Sequence, residues 1–370
     1  MNTPPSPRGA ERSDETTVRI GALVPLTRPG WVEAGRHLLA GLELAVGDVN
    51  DAGGIGGRPL ELVIRDTAAD PQRAAAAVDE LARLGVVALA GEYHSVVARA
   101  AAARADALGL PFLCSSAVLD ALTDEPTEWV ARLAPAQSHG WKLYADFLLD
   151  AGHRRVAVAT EPSAYWASGT RILRGHLAPR GGTVLELDAR ALDPTAVCER
   201  LVDNRATALL LLVGAPEPAV SLVRSVRGDR RLASIMIGAP AGQPEFAVWP
   251  TLLGDDGGAI PFLRYLPERL SPLGVRVGAA LRERLAEAPS FVAFEGYDTV
   301  AVLTDMLRSH GSDPAGLAGA WPRVAVEGTR GLIRFSRAPG ISVWQWAWPP
   351  TQVVDRDPAR PDRFRVLHAA

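Results

Sequence analysis

The feature that most constrains this 370-residue chain is an alternation of short apolar runs with longer amphipathic ones, made twice over. "VRIGALVP" (18–25) is rich in β-branched and aliphatic residues and ends at a proline, which reads as a buried strand. A helix follows over 34–51, with Leu38, Leu42, Ala45, Val46 and Val49 at three- and four-residue spacing. Next come a strand at 60–66 and a helix at 71–85, with a proline in its first turn and a glycine at its end. A strand at 86–92, a helix at 96–109 and a strand at 110–117 close the first series. The second series has strands at 154–161, 182–189, 207–215 and 233–240, with helices at 166–180, 194–204 and 216–228 between them.

Two βαβαβ series predict an α/β chain of two doubly wound parallel-sheet lobes, with helices on both faces of each sheet. Ligands of such sheets bind beyond the carboxyl ends of the strands, and two lobes can face those ends across a cleft. The stretch "NDAGGIGGRPLELVIRD" (50–66) tests the main rival, a nucleotide site. A dinucleotide fingerprint places its glycines after a strand and before a helix. Here Gly53, Gly54, Gly56 and Gly57 follow a helix and precede a strand, so they read as a helix stop and tight turn.

Composition narrows the function classes. A net charge of −3 offers no basic field for nucleic acid or anionic membrane. The longest apolar run, Ala208 to Val213, is too short to span a bilayer. Cys114 and Cys198 form no CxxC pair, and the seven histidines show no zinc spacing, so no metal or cofactor is expected.

The residues resemble a known family at this point. The run "GALVPLTRPGW" followed by "N-x-x-GG-x-GG-x-x-L-x-L-x-x-x-D" looks like the type I periplasmic binding proteins of the leucine/isoleucine/valine class. "GEYHS" resembles the family's Gly-x-x-x-Ser ligand loop, and "LPFLCSSA" its next strand with a Ser-Ser-Ala ligand loop. "LLVGAPEPAVSLVRSVR", "EGYDTVAVLTDML" and "GTRGLIRF" are similar to later segments, so the likeness covers about 18 to 340. Gly91, Tyr93 and Ser95 also match the Gly-x-Tyr-x-Ser loop of the cytoplasmic amide sensors. Arg28, Pro29, Gly30 and Trp31 depart from the usual small residues, and "GAPAGQPEF" (238–246) departs from the usual glycine–glutamate loop.

The resemblance implies ligand contacts at Trp31, Tyr93, Ser95, Ser115, Ser116, Ala117, Tyr165 and Ala215. Position alone also allows Ser95 to cap a helix, the Ser115–Ala117 loop to be an ordinary turn, and Trp31 to be lid packing. Trp166 competes with Tyr165, and Ala215 with Pro216 would give backbone only. Glu92, His94 and Glu161 read as a solvated rim, because no nucleophile or metal motif accompanies them. Cys114 reads as an inert core thiol. Trp344, Trp346 and Trp348 alternate as on one face of a strand, either a tail strand on the second lobe or a partner surface.

The predicted layout is a disordered arm over 1–17, lobe one from 18–135 with 263–325, and lobe two from 136–262 with 326–370. Three hinge crossings fall near 135, 262 and 325. The expected function is a solute-binding protein that closes on a small polar ligand: an amino acid, an amide or a related carboxylate. Its first expected role is cytoplasmic sensing with a regulator protein, since residues 1–17 lack a secretory pattern. Supply to an ABC permease is the alternative, from a periplasmic or lipid-anchored position if a natural leader is missing. An enzyme built on the same scaffold, with Glu92, His94 or Glu161 as acid or base, is the third class. A homo-oligomer is compatible with all three.

Overall fold

The computed structural model describes residues 17–369. All of the expected arm except Thr17 therefore lies outside the described residues. Both predicted series are present. A seven-stranded sheet runs in the order Phe335–Ser336, Trp344–Trp346, Val130–Arg132, Phe112–Cys114, Ala88–Gly91, Val18–Val24 and Leu60–Asp66. Its pairings are parallel except for the one between Phe335–Ser336 and Trp344–Trp346. A four-stranded sheet is parallel throughout, in the order Thr183–Asp188, Arg155–Thr160, Ala208–Leu212 and Met236–Gly238. A third, antiparallel sheet joins Phe262–Arg264, Gln352–Asp357 and Arg360–Ala369.

Local chemistry explains the boundaries. Helix Pro71–Arg83 starts where Asp70 accepts hydrogen bonds from the amides of Gln72 and Arg73, with Pro71 at its first position. The glycine stretch is the turn that the sequence implies. Gly53, Gly54, Gly56 and Gly57 all have positive φ, and a Cβ on Gly54 would lie 2.1 Å from the Arg58 carbonyl oxygen. Asn50 fastens the turn by bonding both the amide and the carbonyl of Leu60, at 2.7 and 2.9 Å.

The returning segment covers one face of lobe one. Helix Phe291–His310 packs along helix Val32–Asp51, and the two backbones meet at glycines. A Cβ on Gly41 would fall 1.9 Å from the Ala293 carbonyl oxygen, and one on Gly296 would fall 2.4 Å from that of Leu38. So close an approach excludes any side chain at either position.

The C-terminal segment corrects the predicted layout. Trp344–Trp346 does not pack on lobe two. It extends the lobe-one sheet beside Val130–Arg132, where Gln345 accepts from the buried Arg132 at 2.7 Å and donates to the Ala134 carbonyl. The chain passes from that sheet to the Gln352–Asp357 strand at 347–351, well beyond the expected crossing near 325. The tryptophans also part company. Trp346 is buried in the core, Trp344 is half-buried, and Trp348 lies past the strand and is 77% exposed. No helix among the described residues is long and apolar enough to cross a membrane.

The glycine crossing gives a direct test. Gly41→Val should destabilise the fold by about 3 kcal/mol or more, because it forces apart two buried helices. Urea denaturation followed by circular dichroism reads this. A change under 0.5 kcal/mol would mean that the helices do not meet there.

Candidate functional site

The carboxyl ends of the two parallel sheets frame a cavity of about 370 Å³. That is within the size range of small-ligand pockets. Lobe one contributes Trp31, Tyr93, His94, Ser95, Val96, Val97, Ser116 and Val118, and lobe two contributes Ser163, Tyr165, Trp166 and Ala241. Tyr265 and Phe291, from the returning segment, complete the aromatic surface. Among the described residues, this wall includes no Asp, Glu, Lys or Arg.

The lobe-one side is built on a buried carboxylate. Glu92 was expected on a solvated rim, yet it is fully buried at the end of the Ala88–Gly91 strand. Four donors account for this. The Thr67 hydroxyl donates to Oε2 at 2.6 Å, the amides of Tyr93 and His94 donate to Oε1 at 2.8 Å, and His94 Nδ1 lies 3.2 Å from the same oxygen. His94 Nε2 in turn accepts from the Trp31 amide at 3.3 Å. The chain of bonds fixes the neutral Nδ1–H form of the ring and sets Trp31 on the cavity edge. Trp31 and Tyr93 meet edge to face, with ring centres 5.9 Å apart. Glu92 and His94 are thereby positioning groups, and Glu161 bonds the Gly214 amide outside the cavity wall.

Ser95 is the first residue of helix Ser95–Leu108 and not its cap. His94 holds the capping position without a side-chain bond. The Ser95 hydroxyl instead accepts from the amides of Val118 and Leu119, each at 3.2 Å, and staples the neighbouring loop in place. The first bond within this helix runs from the Ala98 amide to the His94 carbonyl. The amides of Ser95, Val96 and Val97 therefore stay free of helical partners, beside the cavity that these residues line. A second helix, Ala164–Leu177, starts at the opposite wall, where Ser163 caps the Tyr165 amide at 3.2 Å. Tyr165 stacks at a tilt on Trp166 and edge-on to Trp141, and its carbonyl accepts from Gln137. Burial raises the hydroxyls of both Tyr93 and Tyr165 well above the usual tyrosine range, so both remain protonated donors.

Three expected contacts lie elsewhere. Ser115 is fully buried, accepts from the Gly91 amide and pairs with the Thr299 hydroxyl at 2.8 Å, so it ties the strand to a helix. Ala117 is buried in the core behind the loop. Along this segment only Ser116 and Val118 reach the cavity. Ala215 lines a separate outer groove with Arg28, Glu33, Arg36 and Gln243. Cys114 is buried, and its thiol is pushed up to about 12 by desolvation, as befits a core residue. Sequence reasoning missed Ser163, Val118, Tyr265 and Phe291. The serine before an amphipathic run was a readable cap signal for the first. The last two arrive from distant segments and carry no local signal.

The departing loop at 238–246 links the lobes. Glu245 of lobe two accepts from the Phe291 amide at 3.1 Å, at the start of a lobe-one helix, and from Arg264 at 2.9 Å. Phe246 is buried against Trp31, with ring centres 4.9 Å apart, and against His37. Arg356 holds the loop from behind by donating to the carbonyls of Pro244 and Glu245.

Comparison with known proteins agrees with this arrangement. Residues 17–342 match the family model described as periplasmic binding protein. A Leu/Ile/Val-binding protein homolog 8 of Brucella abortus is 29% identical over 160 residues, which span 41% of this chain and 40% of that relative's length. The leucine-binding protein LivK of Thermotoga maritima superposes with a TM-score of 0.80 at 21% identity, covering 95% of this chain and 97% of that one. An R. palustris ABC-transporter solute-binding protein in complex with benzoate gives 0.79 at 17% identity, covering 95% and 96%. With two parallel-sheet lobes, a cleft at their carboxyl ends and a family match over most of its length, the chain belongs to the periplasmic binding protein family.

Proposed function

We propose that this chain is a solute-binding protein whose lobes close over a small organic carboxylate with an apolar, planar body. One observation carries the reading. Two helix N-termini, one from each lobe, open onto an aromatic cavity whose wall, among the described residues, includes no Asp, Glu, Lys or Arg. The free amides of Ser95, Val96 and Val97 and the dipoles of both helices favour an anion there. An amino acid would also bring an ammonium group, and among the described residues the wall has no carboxylate to pair with it. Trp31, Tyr93, Tyr165, Trp166, Tyr265 and Phe291 suit an aromatic or branched apolar body. The R. palustris neighbour of this fold, which is in complex with benzoate, supports the reading.

Delivery to an ABC permease is the role that fits best, since the benzoate-bound neighbour is described as part of an ABC transporter. The Glu245 and Phe246 contacts supply the closing step. Ligand bridging the two helix N-termini adds to them, and the closed population rises.

Calorimetric titration separates the ligand classes. Benzoate should bind at least about tenfold more tightly than leucine, and benzylamine should not bind. Leucine binding more tightly than benzoate, or benzylamine equal to it, would overturn the carboxylate reading. Trp31→Ala should weaken benzoate by about tenfold or more through lost ring contact. The closing step has its own test. Glu245→Ala removes a lobe-two anion from a lobe-one helix start, so small-angle scattering should show a larger radius of gyration than for the parent protein. An unchanged radius would mean that Glu245 does not hold the lobes together.

A further inference from the structure

A fully buried ionic cluster lies just behind the cavity floor. Arg330 Nε donates to Asp298 Oδ2 at 2.9 Å, and Arg330 Nη1 donates to Glu295 Oε1 at 3.2 Å. The Arg330, Glu295 and Asp298 side chains have no solvent exposure. One guanidinium thus serves two carboxylates. Asp298 is committed on both oxygens, since Oδ1 accepts from the Thr329 amide at 2.6 Å. Glu295 is not. Among the described residues, neither its Oε2 nor the hydroxyl of Ser116, which belongs to the cavity wall, has a hydrogen-bond partner in good geometry. These two groups are close enough for Ser116 to act on the Glu295 carboxyl, though no well-aligned bond joins them. Glu295 sits one helical turn beyond Phe291, another wall residue. A buried carboxylate oxygen left unpaired is costly, and such groups are rarely kept without a use.

We propose that Ser116 and Glu295 form a second polar subsite in the cavity floor, which accepts a hydrogen bond from a hydroxyl or amino substituent on the body of the bound carboxylate. This rests on the carboxylate reading of the cavity. Ser116 Oγ can accept from the substituent while it donates to Glu295 Oε2, so one ligand group completes both orphaned atoms. The groups facing Glu295 are Arg330, Asp298 and Ser116, with Tyr93 and Tyr265 nearby. Burial raises both tyrosine hydroxyls, so neither competes as an anion. Burial also pushes the Glu295 carboxyl up to about 7, with Arg330 opposing the rise and Asp298 adding to it. A donor placed against Ser116 favours the ionised form, so the preference for a substituted ligand grows as pH rises through that range.

The test titrates the full chain with benzoate, the 3- and 4-hydroxybenzoates and the 3- and 4-aminobenzoates. At least one substituted probe should bind about tenfold more tightly than benzoate, and the ratio should be larger at about pH 8 than at about pH 6. In Glu295→Gln and in Ser116→Ala the ratio should fall to near one. If Glu295→Gln does not fold, Ser116→Ala carries the comparison. Equal affinities in the parent protein, or a preference that survives Ser116→Ala, would overturn the subsite while leaving the carboxylate reading intact. Failure of every probe, benzoate included, would overturn both.

Discussion

The rest of the site depends on a few backbone amides at the start of helix Ser95–Leu108, which the helix itself cannot satisfy. Any α-helix leaves its first amides open, and most are closed off by a capping side chain. Here the residue at the capping position is His94, and its ring is turned away to bond Glu92 and the Trp31 amide. The hydroxyl of Ser95 is also spent, on the loop at 118–119. What remains is a set of donors that only a ligand or water can meet. An anion at such a terminus gains about 1 kcal/mol, and up to ~2 kcal/mol when partly buried. Recognition by neutral donors also avoids the desolvation of a buried ion pair.

A third helix N-terminus makes an instructive contrast. Helix Phe291–His310 also opens towards the cleft, but Glu245 from lobe two already occupies its first amide. The protein's own carboxylate does there what we propose a ligand carboxylate does at the other two. The contact converts a helix end into a joint between lobes, and Phe246 beside it adds an apolar contact with Trp31 and His37. On the proposed reading, closure and recognition draw on one physical device, an anion set against open amides. Energetically the two are coupled, because Phe246 packs on the same tryptophan that walls the cavity.

Much of the fold was legible because its signals are local. The period of the apolar residues located all fourteen predicted strands and helices of the two series within a few residues, and the order of glycines relative to helix and strand dismissed a phosphate cradle. The tail was not legible. Trp344 and Trp346 reveal a strand, but which sheet it joins is decided by Gln345 bonding Arg132, more than two hundred residues away in sequence. Of the two adjacent serines just past the Phe112–Cys114 strand, only one lines the cavity, and the sequence does not say which. Ser115 turned to Thr299 and Ser116 to the cleft. Glu92 misled for another reason. A charge beside a loop normally faces water, and its four donors are scattered over residues 67, 93 and 94, invisible to any pattern search.

The central claim concerns what the open amides hold. The most direct measurement is a crystal structure of the protein with the solute that it retains on purification from its own cells. The account predicts a carboxylate within hydrogen-bond distance of the Ser95–Val97 amides, its apolar body between Trp31, Tyr93 and Tyr165. A retained solute that places a cationic or sugar-like group against those amides would contradict it, as would a side chain of the protein itself filling that position.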